Sequence, residues 1–388
     1  MTSHSAHPPP RRIVVDATAC LSGGKVYVNE LLPMLIESLV DTEWVIYGEV
    51  TPELDAMAAH DRVQFRSVHF PQPTRSLLLA GMAKLLWREI VLPFELASLR
   101  PCLLLTTATF ASPLLSLLRI PVVLGVHNLL PFHEPQWYKE PNLVRRWRQH
   151  SLRRLTIKST MRATRTIAFS GYAKELLCKH GVDPARVSVI HHGSRPARQP
   201  WRGADSDTVL LVLHYFAYKN IHVPIRALPQ VQAATGRAIK LLVQGVAYDR
   251  AYYESLVKLV RSLGLEESVC LGSGVASSEL AALYASSRCL VFPALGENCP
   301  ITLLEAMSVG MPIVAAKAAP LPEICGAAAI YYDTLDERSC AVAITRLLTH
   351  PSAAKEVSTL GRCRAGTQFT WEACAQKTVA ALRVAWGR

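Results

Sequence analysis

The sequence predicts an α/β protein built as two doubly wound domains. Three observations carry that expectation. Short apolar runs alternate with helical periodicity along the whole chain, the pattern of parallel strands joined by crossover helices. At 388 residues, half of them hydrophobic and 19% charged, the chain exceeds the size at which one core usually stops growing. An irregular stretch rich in Pro, Gly and Arg, from His191 to Asp207, separates two runs of alternation as an interdomain linker would.

The first half opens with a strand at Arg12–Asp16, a loop containing Gly23 and Gly24, and a helix from about Val26 to Leu39. Two glycines between strand and helix let the backbone approach a ligand where a helix N-terminus favours phosphate, although a tight turn is the simpler account. Strands at Trp44–Gly48 and Val63–Val68 follow, then one helix near Leu77–Ala97 with a wide apolar stripe. That stripe suits a core helix, or an interfacial helix lying on a membrane. The strands C-L-L-L-T and P-V-V-L-G-V come next. The second ends in His127-Asn128, which sets a histidine at a strand's carboxyl end. Between Arg145 and Arg165 every charge is basic. Either this is a solvated helix face with Val144, Trp147, Leu152 and Leu155 turned inward, or a basic stripe for anionic lipid or a polyprenyl-diphosphate-linked acceptor. Thr166–Ser170, a helix at Tyr172–His180 and Val187–Ile190 complete this half.

The second half restarts with a strand at Thr208–His214, and Lys219 precedes a helix starting near Ile221. A lysine at such a crossing can neutralise a phosphate; an exposed loop lysine is the ordinary alternative. Asp205-Ser206-Asp207 imitates a metal-binding D-x-D but sits where a turn is expected. Strand alternation points His191 and His192 to opposite faces, against joint metal binding. Gly272–Ser277 nearly matches a dinucleotide fingerprint but lacks its third glycine and later acid, so no nicotinamide or flavin site is expected.

The chain is organised around Leu295–Pro312, L-G-E-N-C-P-I-T-L-L-E-A-M-S-V-G-M-P. A strand (Cys289–Pro293) leads to a loop with Glu297, then a short helix with Pro300 in its first turn and Gly310 just past its end, then a strand at Ile313–Ala316. Thr302 and Glu305 share one face of that helix. A loop carboxylate and a helix carboxylate can together accept hydrogen bonds from several hydroxyls of a sugar or ribose. The plainer account is a charge favouring the helix dipole beside a solvated loop glutamate. Ala315–Glu323 and Ala327–Asp333 read as strand and loop, and two C-terminal helices end with Trp371–Trp386.

The balance of 42 basic and 30 acidic residues, +12, fits an anionic partner such as a nucleoside diphosphate or acidic lipid headgroups. Nucleic acid is not expected, because no binding module accompanies the charge. Ten cysteines lie scattered without a C-x-x-C, which points to buried thiols in a reducing compartment. The first twelve residues lack a signal peptide's apolar core, and Pro101–Leu118 makes a poor membrane span. The expected location is the cytoplasm or the inner face of the cytoplasmic membrane.

The spacing Glu297-x7-Glu305, closed by L-L-E-A-M and followed by G-M-P-I-V, resembles the signature of retaining glycosyltransferases of family 4. The resemblance implies the GT-B fold: two Rossmann-like domains facing across a cleft. Residues 1–195 would bind acceptor and 206–368 nucleotide-sugar, with 369–388 crossing back onto the N-terminal domain. It implies His127, Lys219 and Glu297 in catalysis, and Gly23, Gly24, His214, Lys219, Asn298, Ile301, Thr302 and Glu305 in holding the donor, with no metal or other cofactor. Glu305 would hold the ribose, Glu297 and His127 the sugar, and Lys219 the diphosphate. The acceptor would be lipid-linked or a polysaccharide, the sugar mannose-like or another hexose, and the setting cell-surface polysaccharide or lipopolysaccharide synthesis. The chain departs from the family pattern in three places. Asn298-Cys299-Pro300 stands where Gly-Phe-Gly is usual, His214 where an arginine is usual, and Asn128 where an aspartate is usual. A nucleotide-sugar epimerase of the same fold and a non-catalytic nucleotide-sugar or glycan-binding subunit are the rival readings.

Overall fold

The computed structural model describes residues 11–18, 23–48, 60–70, 77–107, 111–132, 143–197 and 199–387, with the side chains at 77–81, 143–146, 148 and 149 outside that set. The N-terminal dozen, part of the loop before Gly23, part of Pro101–Leu118, and the Arg145, Arg146 and Arg148 side chains thus fall wholly or partly outside the described residues. Among those described, the chain forms two compact units: 11–132, 143–191 and 372–387 in one, 192–371 in the other.

The first unit holds seven parallel strands: β1 (Arg11–Asp16), β2 (Thr42–Gly48), β3 (Val63–Ser67), β4 (Leu103–Thr106), β5 (Val122–Gly125), β6 (Arg165–Ala168) and β7 (Val187–Val189). Their order is β3-β2-β1-β4-β5-β6-β7, so the winding reverses between β1 and β4, where an α/β sheet opens its ligand crevice. The central strands carry apolar runs, as expected of a parallel sheet covered on both faces; Ile13, Val14 and Val15 are fully buried, whereas the edge strand β3, V-Q-F-R-S, is only partly buried. The helices are α1 (Gly23–Ser38), α2 (Leu77–Leu86), α3 (Leu92–Leu99), α4 (Leu114–Leu117), α5 (Leu143–Arg162) and α6 (Gly171–Lys179).

The second unit repeats the plan with β8 (Thr208–Val212), β9 (Lys240–Gln244), β10 (Val269–Leu271), β11 (Cys289–Phe292), β12 (Ile313–Ala316) and β13 (Ile330–Tyr332), ordered β10-β9-β8-β11-β12-β13 and all parallel. Here the reversal falls between β8 and β11, with Val209 opposite Cys289 and Leu210 opposite Leu290. Its helices are α7 (His222–Thr235), α8 (Arg250–Ser262), α9 (Ser277–Ser286), α10 (Ile301–Val309), α11 (Leu321–Cys325), α12 (Glu337–Thr349) and α13 (Pro351–Gln368). The final helix, α14 (Trp371–Trp386), belongs to the first unit in all but its first residue; there the Arg11 guanidinium lies 5.1 Å from the Trp386 ring centre.

Several sequence expectations need correction. The Leu77–Ala97 helix is interrupted by a π turn at Trp87–Val91. The widened turn directs Arg88 inward, where it is buried and its Nε reaches Asp16 Oδ2 at 3.4 Å. The stripe is not wholly core, since Met82, Leu85, Leu86, Ile90 and Val91 are exposed. On α5, Trp147, Leu152 and Leu155 are exposed rather than turned inward. The change of unit falls between His191 and His192, at the start of the expected linker, and Trp201 to Gly203 within that stretch are tied into the second unit. Trp201 N–H donates to the Val309 carbonyl at 3.0 Å, and Arg202 N–H to that of Ala285 at 2.7 Å. A Cβ on Gly203 would lie 2.0 Å from the Ser287 carbonyl oxygen. Leu321–Cys325 is a short helix rather than loop. Three C-terminal helices stand where two were expected, because Pro351 suits a fresh helical first turn immediately after α12. Among the described residues no helix is long and apolar enough to cross a membrane.

Candidate active site

The ends of β8 and β11 meet at the second unit's reversal point, and each delivers one charged residue. Beyond β8 the chain passes His214 into a short 3₁₀ turn, Ala217–Lys219, closed by Asn220 in the left-handed conformation (φ 58°). That turn directs Lys219 back over the strand ends. The loop after β11 carries Glu297, and the Lys219 ammonium donates directly to Glu297 Oε1. The two lie 78 residues apart in sequence. Burial alone would lower the lysine's pKa, but the Glu297 carboxylate, helped by Tyr218, more than offsets it, so the ammonium is held charged. Its charge also lies 5.1 Å from the Tyr218 ring centre. Tyr218, Phe216 and Tyr248 form a row of stacked rings beside it.

Pro300 is the residue before α10 (φ −72°, ψ 112°), one position earlier than expected, and its carbonyl accepts from Leu303 and Leu304. Gly310 closes the helix at φ 82°, the left-handed cap its position called for. Along α10, Ile301, Leu303, Leu304, Ala306, Met307 and Val309 are buried while Thr302, Glu305 and Ser308 stay partly open. Thr302 and Glu305 therefore do share the accessible face. The Tyr284 hydroxyl, on α9, donates to Glu305 Oε2 at 3.2 Å. Burial and then the adjacent Glu305 push that phenol's pKa well up, so it stays a donor. Asn298 and Ile301 are buried.

His214 stands where the resemblance would place an arginine, in surroundings that disfavour its charged form. Its Nδ1 accepts the Val246 N–H at 3.1 Å, and burial, reinforced by Lys219, lowers its pKa. The ring is neutral at pH 7 and offers hydrogen-bonding groups, not charge.

In the first unit, Gly23 and Gly24 form the first turn of α1 rather than a loop before it. His127, just beyond β5, has its ring 4.7 Å from Tyr27 of α1 and 4.4 Å from Phe169, centre to centre. Asn128, in the place of an aspartate, accepts the Leu130 N–H and so shapes a turn. Ser170 caps α6 by accepting from Ala173 N–H. Asp205 ends a 3₁₀ turn and Asp207 pairs with Arg237 at 2.5 Å, which leaves the D-x-D a structural feature. Among the described residues no group of three or more His, Cys, Asp or Glu side chains could hold a metal ion.

Sequence reasoning missed Tyr284, whose signal would have been its place on the helix preceding β11. It also missed that Lys219 and Glu297 pair with one another.

Comparison with known proteins bears on the same elements. Residues 21–198 match Glycosyltransferase Family 4, and residues 197–363 match Glycosyl transferases group 1. An MMP alpha-(1->4)-mannosyltransferase of Mycolicibacterium hassiacum is 28% identical over 65% of this chain and 61% of its own length. The O-antigen chain mannosyltransferase RfbU of Salmonella typhimurium is 25% identical over 59% of this chain and 61% of its own. The chain thus spans less than two thirds of these relatives. Among solved structures, Anabaena HepE in complex with UDP and glucose superposes over 96% of this chain and 100% of its own, with a TM-score of 0.73 at 16% identity. The fold is therefore GT-B, two Rossmann-like domains in one chain. With both halves matched in this order, the chain belongs to glycosyltransferase family 4.

Proposed function

We propose that this protein is a retaining hexosyltransferase that moves a mannose-like or other hexose from a nucleotide-sugar to a lipid-linked or polysaccharide acceptor in cell-surface polysaccharide synthesis. The observation that carries the reading is the Lys219–Glu297 pair at the β8/β11 reversal point, followed by Glu305 on the accessible face of α10. The mannosyltransferase relatives, one of them an O-antigen enzyme, and the UDP-and-glucose complex of the Anabaena protein support it.

On this reading the bond between the anomeric carbon and the diphosphate oxygen breaks, and the nucleoside diphosphate departs with the electron pair. The acceptor oxygen bonds the same face of that carbon and gives its proton to the departing phosphate. Lys219 stabilises charge as it develops on the leaving group, at a site already organised before the reaction. To do so it must leave or share Glu297, which is then available to donor hydroxyls. Glu305, oriented by Tyr284, takes the ribose. Gly23, Gly24 and His127 keep the roles that family membership implies, and the scheme calls on no metal. The exposed Met82, Leu86, Ile90, Phe94 and Trp147, with the basic residues of α5, are proposed to rest on an anionic membrane surface.

Incubating the purified protein with a panel of nucleotide-sugars, and reading released nucleoside diphosphate, tests the proposal. One donor is expected to be turned over, with Lys219→Ala and Glu305→Ala abolishing release in folded protein. Retained turnover in either variant overturns that residue's role. Binding of nucleoside diphosphate without hydrolysis or transfer instead identifies a non-catalytic binding subunit, a reading favoured by the neutral His214 and by Asn298-Cys299-Pro300 in the place of Gly-Phe-Gly.

A further inference from the structure

His192 entered the sequence reading only as a metal candidate, and the proposed chemistry does not use it. In the structure it is buried, and its Nδ1 lies 2.7 Å from the Cys299 carbonyl oxygen, 107 residues away. A carbonyl only accepts, so Nδ1 carries the proton and donates. Cys299 is itself buried, and a buried carbonyl requires a partner. The following residue, Pro300, brings no N–H to this loop. Cys299 stands two residues after Glu297, in the stretch where the family pattern is glycine-rich and this chain is not.

His192 is itself held in place. It is the first residue of the second unit after the chain leaves the first. The outgoing and returning segments are clamped together: Ser194 N–H donates to the Phe369 carbonyl at 2.8 Å, and Ser194 bridges Thr370. At Gly193 a Cβ would lie 2.3 Å from the Trp371 nitrogen, so only glycine permits that approach.

We infer that His192 is a positioning residue for the donor-sugar loop, holding residues 297–300 through the Cys299 carbonyl so that Glu297 is presented to Lys219 and to the sugar. This rests on the nucleotide-sugar reading above. It also makes the paired crossing segments, rather than flexible glycines, the support of that loop.

The test compares nucleoside diphosphate with nucleotide-sugar binding by titration calorimetry, using UDP, GDP, UDP-glucose and GDP-mannose on full-length protein. His192→Leu removes the donor, whereas His192→Asn keeps an N–H near the Nδ1 position. In His192→Leu, affinity for the bare diphosphate is expected to stay within about twofold of wild type. Affinity for the matching nucleotide-sugar should fall roughly tenfold, the size of one lost hydrogen bond to a buried acceptor. His192→Asn should restore most of the difference. Equal loss for both ligands, or no loss in His192→Leu, overturns the inference. If wild type binds none of the four probes, the donor reading itself fails, a separate outcome. Should His192→Leu not fold, failure of His192→Asn to discriminate like wild type counts against the inference on its own.

Discussion

The two units place an acid–base pair at the same topological point, and the pairs differ in kind. In the first, Asp16 ends β1 beside β4, and its carboxylate is saturated. It accepts from Thr18 N–H at 3.0 Å, Thr18 Oγ1 at 2.6 Å and Thr106 Oγ1 at 3.2 Å, and meets Arg88 Nε at 3.4 Å. Its side chain is 2% exposed and that of Arg88 7%. In the second, Glu297 meets Lys219 with side chains 14% and 13% exposed, on a loop and a 3₁₀ turn. Reversal of strand order creates a crevice in either sheet. What fills it separates the two crevices: the Asp16 carboxylate already has four partners and is almost wholly enclosed, whereas the Lys219–Glu297 pair has fewer partners and keeps some exposure, as the proposed exchange of a partner requires.

The sharpest way to break that comparison is to cut each pair. Asp16→Ala leaves Arg88 buried without its main counter-charge and should cost about 3–5 kcal/mol of stability. Urea unfolding would show this. Lys219→Ala leaves a more accessible carboxylate behind and should cost clearly less stability than Asp16→Ala, while lowering turnover by roughly 10²–10³-fold or more. If Lys219→Ala destabilised the protein as much as Asp16→Ala, both pairs would be braces.

A smaller effect separates orientation from charge at Glu305. Tyr284→Phe removes one hydrogen bond but no carboxylate, and should cost about 1 kcal/mol, seen as a roughly fivefold weaker nucleoside diphosphate affinity. An unchanged affinity would show that Glu305 needs no support from α9.

The smallest expected effect is on pH dependence. Burial, then Lys219, lowers the His214 pKa, and burial, then Arg226, lowers that of His222. The unfolded chain therefore binds these protons more readily than the folded one. Stability from the neutral rings is complete above about pH 6.5, the unfolded value, and is lost as pH falls through the lower folded values. Denaturation midpoints measured from pH 7.5 to 5 should fall less steeply in His214→Gln than in wild type. Equal slopes would mean that folding does not lower the proton affinity of His214.

Much of this was legible in the chain. β8, β11 and β12 appear as short apolar runs because both faces of a central parallel strand are covered, and Gly310 announces a helix end closed at positive φ. The spacing of Glu297 and Glu305 marked the organising stretch without any contact being known. The π turn was not legible: Arg88 within it meets Asp16, 72 residues away, and no local periodicity encodes so distant a partner. Whether the apolar faces of α2 and α5 are core or surface stayed open for a related reason, since a periodic stripe records that a face is apolar and not what covers it.

By itself, then, the sequence determined the elements, their alternation, and which residue types stand at strand ends, because propensity, periodicity and capping act within a few residues. Tertiary structure alone decided that Lys219 meets Glu297, that His214 is a neutral acceptor, and that His192 reaches the Cys299 carbonyl. Those outcomes depend on which strand ends the sheet order makes neighbours and on how far each group is withdrawn from water, and both are set only when distant segments pack.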